Sequence, residues 1–201
     1  ATIMPRGGQR GTDVEVSFHG GALADAVDVF FHDPGITLKE VKTVEGGKVT
    51  CLLTIAPDCR LGPHRMRMRT KTGMTNLALF SVGNLLEVNE VEPNSQSDNP
   101  QLIALNSTVN GIVISEDVDY FAVEVPANSR LAVEVEALRL GRELFDVKVR
   151  LFDPAGRELI AEDDTALMQQ DAAFVFQTKE AGKYRVALSE STYGGNNTYD
   201  Y

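Results

Sequence analysis

Apolar residues in this chain recur at every second position, and each run is cut by glycine, proline, asparagine or aspartate. TDVEVSF (12–18), KVTCLLTI (48–55), DYFAVEV (119–125) and GKYRVALS (182–189) all read this way. A period of two sends alternate side chains to opposite faces of a strand, whereas a helix needs apolar residues three and four apart. Helical periodicity is nearly absent. The pattern therefore restricts the chain to an all-β fold of short strands, each with one face on a core.

Residues 1–88 predict strands near 12–18, 27–32, 36–43, 48–55, 64–70 and 76–82, with ATIMP as an added edge. HGGALAD, HDPG, EGGK, APDCRLGP and KTG supply the breaks. About seven short strands in such a span predict an immunoglobulin-like β-sandwich. Residues 89–201 predict strands near 101–105, 109–114, 119–125, 130–138, 146–152, 157–161, 172–177, 182–189 and 198–201. These suit a second, jelly-roll-like sandwich. TALMQQ (165–170) reads as one helical turn, and 89–99 as a polar linker. The last strand is expected to be truncated, because NNTYDY stops inside a strand pattern, so the chain reads as a fragment.

Charge divides at the same place. Residues 1–88 carry ten Lys and Arg against nine Asp and Glu, while 89–201 carry nine against twenty. A second half this acidic argues against general nucleic-acid binding and suits a cation-binding surface. No apolar run reaches membrane-spanning length, and ATIMPRGGQRG has no signal-peptide pattern.

The signatures of catalysis are missing from the sequence. His19, His32 and His64 each stand alone at a strand end or turn, without H-E-x-x-H or C-x-x-C. No G-x-S-x-G, G-x-G-x-x-G or P-loop occurs. Two cysteines make no disulfide framework, and Cys51 in mid-strand reads as buried with Cys59 exposed in a turn. The chain is expected not to be an enzyme.

Three patterns could bind. In Arg65-Met66-Arg67-Met68-Arg69 the methionines share one strand face and the arginines the other. Arg65, Arg67 and Arg69 could form an anion-binding stripe; the plainer reading is a solvated face over a methionine-lined core. Asp146, Asp153, Glu158, Glu162, Asp163, Asp164 and Asp171 are a loop-rich acidic set without EF-hand spacing. In NEVEPN, Glu90, Glu92 and Asn94 point the same way, about 7 Å between alternate positions. SEDVDYF adds Glu116, Asp117 and Asp119. If the two stretches meet, five or six oxygens converge, which suits calcium. A charged linker beside an unrelated acidic turn is the other reading, and spacing leaves both open.

NEVEPN, N-G-x-I, DVDYFAVEV, LFDPAGRELIAEDD and AGKYRVAL, in that order, resemble the bacterial pre-peptidase C-terminal domain family. That family is similar to the collagen-binding domains of clostridial collagenases. The resemblance spans 89–201. It implies a jelly-roll-type sandwich attached to secreted peptidases and other exported bacterial proteins. By position it implies calcium held by Glu90, Glu92, Asn94, Glu116 and Asp119, with Ser95 where an Asp or Asn is expected and Glu116 in place of an Asp. PRGGQRGTDVEVSFHGG and TKTGMTNLALFSV resemble, more loosely, the opening and closing of IPT/TIG immunoglobulin-like domains.

The expected function is a non-catalytic accessory module of a secreted or cell-surface bacterial protein, with calcium as its cofactor. Its partners would be an extracellular protein or polysaccharide and neighbouring domains of a larger parent, with no nucleic acid and no membrane insertion. A fragment of a secreted hydrolase and a structural cell-surface spacer are the alternatives.

Overall fold

A computed structural model describes residues 2–201 and divides the chain into two compact units, Ala1–Glu87 and Val88–Tyr201. The first holds β1 (Thr2–Met4), β2 (Gly7–Gln9), β3 (Asp13–His19), β4 (Ala26–Phe31), β5 (Ile36–Glu45), β6 (Lys48–Ile55), β7 (Gly62–Thr70) and β8 (Ala78–Gly83). Strand β9 (Leu86–Asn89) straddles the boundary. The second unit continues with β10 (Gln101–Leu102), β11 (Ser107–Asn110), β12 (Asp119–Val125), β13 (Arg130–Glu134), β14 (Val147–Phe152), β15 (Glu158–Glu162), β16 (Ala173–Gln177) and β17 (Gly182–Glu190).

The first unit has two four-stranded sheets, ordered β1-β3-β6-β5 and β2-β8-β7-β4. This is the immunoglobulin arrangement, in which the second, fifth and fourth strands share one sheet and the third, sixth and seventh the other. Alternation explains the core directly. Val16 and Phe18 of β3, Val49, Cys51, Leu53 and Ile55 of β6, Met66 and Met68 of β7, and Phe80 of β8 are all buried. The intervening residues face away from it. At the edge, β5 is interrupted by bulges near Leu38–Glu40 and Val41–Thr43 and carries Lys39, Glu40 and Lys42. Bulges and charges discourage a further strand from adding there. Lys39 pairs with Asp13 and Lys42 with Glu15, each at 2.5 Å.

In the second unit a five-stranded sheet, β10-β12-β17-β14-β15, is accompanied by two ribbons, β13-β16 and β9-β11. Phe121, Val123, Val147, Val149, Leu151, Phe174, Tyr184 and Leu188 belong to its core. The all-β, sandwich-type architecture expected from the alternation holds in both units. Differences lie at the margins. The 198–201 strand is reduced to one bridge, Ile112 to Asp200. Residues 165–170 form turns, and the 3-10 turn is instead Leu138–Leu140, starting at the last residue of the strand expected over 130–138. Strands β2 and β9 were not expected: Gly-Gly-Gln and Leu-Glu-Val-Asn are too short to show a period.

Candidate metal centre

The NEVEPN stretch folds onto the second unit. Glu90 N–H donates to Asn110 O at 2.9 Å, Tyr120 N–H donates to Asn94 O at 3.1 Å, and Gln101 Oε1 accepts from Val91 N–H. A cis peptide joins Glu92 to Pro93. Residues 89–99, read as linker, are thus tied to β11, to β12 and to the start of β10. Asn94 is 1% exposed.

This fold-back brings Glu90, Glu92 and Asp119 together, with one carboxylate oxygen from each lying within 4.8 Å of the others. Glu90 stands just after β9. Its Oε1 accepts from Asn94 Nδ2 and from Tyr201 Oη, both at 3.1 Å, and its Oε2 accepts from Ile112 N–H at 3.0 Å. Glu92 Oε2 accepts from Asn94 N–H at 2.8 Å. Asp119, the first residue of β12, has no solvent exposure, and its Oδ2 accepts from Tyr201 Oη at 2.8 Å. Gly111 makes the close approach possible: a Cβ there would lie 2.3 Å from Tyr201 Oη and 2.8 Å from Glu90 Oε2.

Three buried oxygens at this place lack a hydrogen-bond partner: Asn94 Oδ1, Asp117 Oδ2 and Asp119 Oδ1. A buried polar atom without a partner is costly, so each such atom asks for a ligand. Burial, then the hydrogen bond and charge of Glu90, push the Asp119 carboxyl up to about 9. Burial, followed by the same two carboxylates, also raises the Tyr201 phenol. The donor set is entirely oxygen, which is the chemistry of a hard cation. Calcium bonds oxygens at about 2.3–2.6 Å, so ligands on opposite sides of one ion are separated by about 5 Å. The observed spread fits that limit.

Of the residues expected from sequence, Glu90, Glu92, Asn94 and Asp119 meet. Glu116 is exposed, at φ 61°, with its N–H donating to Tyr193 O, and it stands outside the three-carboxylate group. The neighbouring Asp117 turns inward instead, 5% exposed, its Oδ1 accepting from Ser95 Oγ at 2.9 Å. Asp117 stands in SEDVDYF beside Glu116, and Tyr201 carries no local sequence signal beyond being aromatic. Among the described residues no other group of three or more His, Cys, Asp or Glu comes together, so the scattered acidic set does not assemble.

The remaining sequence features find other uses. Met66 and Met68 are fully buried, while Arg65 and Arg69 are exposed and Arg67 is half-buried. Arg65 grips Asp33 with two N–H groups, at 2.9 and 3.1 Å, and Arg69 reaches Asp28 at 3.3 Å. The Arg67 guanidinium donates to Thr75 O at 3.4 Å. Both cysteines are free and buried, which corrects the exposed placing of Cys59. Within the otherwise largely exposed 56–64 turn, Cys59 and His64 are buried, with Cys59 Sγ 3.6 Å from His64 Nε2. That ring nitrogen donates to Arg60 O at 2.7 Å, so it carries the hydrogen and is no base for the thiol. Burial also pushes the Cys59 thiol up.

With this geometry in place, relatives can be compared. Residues 117–190 match the family model of the bacterial pre-peptidase C-terminal domain. The matched segment runs from Asp117 through β17, and the arm carrying Glu90, Glu92 and Asn94 precedes it. No curated protein matches the chain. Among solved structures, similar chains include SGBP-B of the Bacteroides ovatus mixed-linkage glucan utilization locus. It is 12% identical, with 94% of this chain and 53% of that one covered, at a TM-score of 0.34. Another is the secreted serine protease VesC of Vibrio cholerae, at 9% identity, 96% and 46% coverage, and a TM-score of 0.30. A third is the Yersinia pseudotuberculosis adhesin InvE, at 12%, 98% and 56%, and 0.29. The present chain spans about half the length of each of these. Among the described residues no helix is long and apolar enough to cross a membrane.

Proposed function

We propose that the second unit is a calcium-stabilised, non-catalytic accessory module of an exported bacterial protein, serving to position a neighbouring domain or to bind an extracellular polymer. The observation that carries the calcium reading is the pairing of three carboxylates within 4.8 Å with buried oxygens that lack partners. Glu90, Glu92 and Asp119 would hold the ion, with Asn94 Oδ1 and Asp117 Oδ2 as the further oxygens at hand. The pre-peptidase C-terminal match over residues 117–190 supports the accessory and exported parts of the reading.

Calcium would supply charge balance. Without it, the three carboxylates must share protons or repel. With it, NEVEPN becomes a clasp that fixes the arm to the start of β12. A ligand that binds only the folded state stabilises by about 2.7 kcal/mol at one hundred times its dissociation constant.

The test is thermal unfolding of the full chain in millimolar calcium and in chelator, beside a Glu92→Gln, Asp119→Asn double variant. The midpoint is expected to rise by several degrees with calcium in the parent and not in the variant. No shift in the parent would end the calcium reading.

A further inference from the structure

One face of the sheet β10-β12-β17-β14-β15 lies on the core; the register fixes what stands on the other. Glu124 is opposite Lys183, and Ala122 is opposite Arg185. Arg185 is in turn opposite Phe152. The next row runs Tyr120, Ala187, Arg150, and Lys148 stands one row on, opposite Ser189. The alternate residues Phe121, Val149, Leu151 and Leu188 belong to the core.

Four of the nine Lys and Arg in residues 89–201 therefore share this face, in a segment with twenty Asp and Glu. Three of the others are paired with acids elsewhere: Arg139 with Asp171, Arg142 with Asp200 and Arg157 with Asp153. Among the outward residues of β12, β17 and β14, Glu124 is the one acid, and Lys183 reaches it only at 4.0 Å. Glu158 stands opposite Phe152 at the β15 margin.

Two of the cations, Arg185 and Arg150, are held in place. Arg185 Nη1 donates to Ser97 O at 2.9 Å and to Ser97 Oγ at 3.1 Å. The Arg150 guanidinium lies 5.7 Å from the centre of the Phe152 ring, and the Tyr120 and Phe152 rings are 6.4 Å apart. Ala122 and Ala187 are buried beneath them, and their small size lets the long side chains lie across the sheet. A cleft of about 320 Å³ adjoins Lys183 and Arg185, between Pro100, Leu102 and Pro154, with Asp98 as the one acid in its lining. Side chains ordered on folding lose less freedom on binding.

We propose that this face binds an anionic polysaccharide, with Arg150 and Arg185 on its carboxylate or sulfate groups and Phe152 and Tyr120 against its sugar rings. Guanidinium forks match planar anions, and aromatic rings offer apolar faces. The charge of −10 on the whole chain disfavours denser polyanions such as duplex DNA, with one charge per about 1.7 Å. A charged sugar chain is sparser and brings its own apolar ring faces. The proposal names a partner class for the accessory module above and rests on that reading only for its extracellular setting.

The test is affinity electrophoresis of the full chain, with calcium, in gels containing polygalacturonate, chondroitin sulfate, neutral dextran or polyglutamate, with duplex DNA as competitor. Retardation is expected in at least one of the two anionic polysaccharide gels and not with neutral dextran. An Arg150→Gln, Arg185→Gln variant is expected to weaken it at least tenfold. Because those arginines are partly buried, Lys148→Gln, Lys183→Gln serves as a second variant, expected to weaken binding severalfold with its unfolding midpoint unchanged. Absence of retardation, equal retardation by neutral dextran or polyglutamate, or full competition by DNA at equal charge would each overturn the proposal. So would binding that survives both variants. A calcium-dependent midpoint in a chain that binds no polymer overturns this inference alone and leaves the calcium clasp standing.

Discussion

Asp171 has no solvent exposure, and hydrogen-bond donors converge on its carboxylate. Ala137 and Leu138 N–H donate to Oδ1 at 3.1 and 2.7 Å, and Arg139 donates to Oδ2 from its backbone and, at 2.5 Å, from Nε. In the sequence this residue is one acid among seven scattered ones, and nothing local marks it as the anchor of the 138–140 turn. The partner segment lies more than thirty positions away, and no strand or helix period connects them. Removing Asp171 leaves the Ala137 and Leu138 N–H groups without their acceptor, at about 1–3 kcal/mol for each buried group, while Arg139, 31% exposed, keeps Glu134. Asp171→Ala is therefore expected to lower unfolding stability in urea by about that much. Asp153→Ala, whose Arg157 partner is largely exposed, is expected to lose far less, as surface ion pairs contribute little. Equal losses would contradict this account of Asp171.

At the level of elements, strands with strict alternation were legible almost to the residue. KVTCLLTI and DYFAVEV are the observed β6 and β12, because each has one side wholly in a core and a one-residue slip would bury its polar set. What could not be read was how NEVEPNSQSDNP is held. Its backbone bonds go to distant partners, Asn110 O and the Tyr120 N–H, and a polar segment gives the same sequence pattern whether solvated or clasped. The every-second-residue spacing in NEVEPN foreshadows the meeting of Glu90, Glu92 and Asn94 with Asp119, whereas Glu116 stays exposed at a positive φ while Asp117 is buried, a difference that no strand period encodes. If calcium closes this arm, amide exchange should report it. The Glu90, Asn94 and Tyr120 amides are expected to slow by at least tenfold on adding calcium. Amides in the middle of β6, in the first unit, are expected to change little. Uniform slowing across both units, or none at the arm, would argue against a local clasp.

For the whole molecule, the net charge of −10 and the raised Asp119 carboxyl make stability depend on pH in opposite senses at the two ends. Asp33 is held below its ordinary range by the Arg65 guanidinium and backbone, and Asp153 by Arg157, so their contribution is present above about pH 4 and fades as pH falls. Asp119 works the other way. Between its unfolded value near 4 and its folded value of about 9, the folded chain keeps a proton that the unfolded chain has lost. Metal-free stability from this group therefore declines as pH rises through that window, by up to about 1.4 kcal/mol per unit. Calcium needs the ionised carboxylate, so its affinity grows over the same window. In chelator, the unfolding midpoint is expected to fall between pH 5 and 8.5. In millimolar calcium it should stay level or rise, and the gap between the two curves should widen with pH. Asp119→Asn removes the titrating group, so its metal-free midpoint is expected to be flatter over that range and its calcium response small. A calcium shift of the same size at every pH would mean that the ion binds away from Asp119, while a flat metal-free curve in the parent would mean that the buried carboxyl holds no proton.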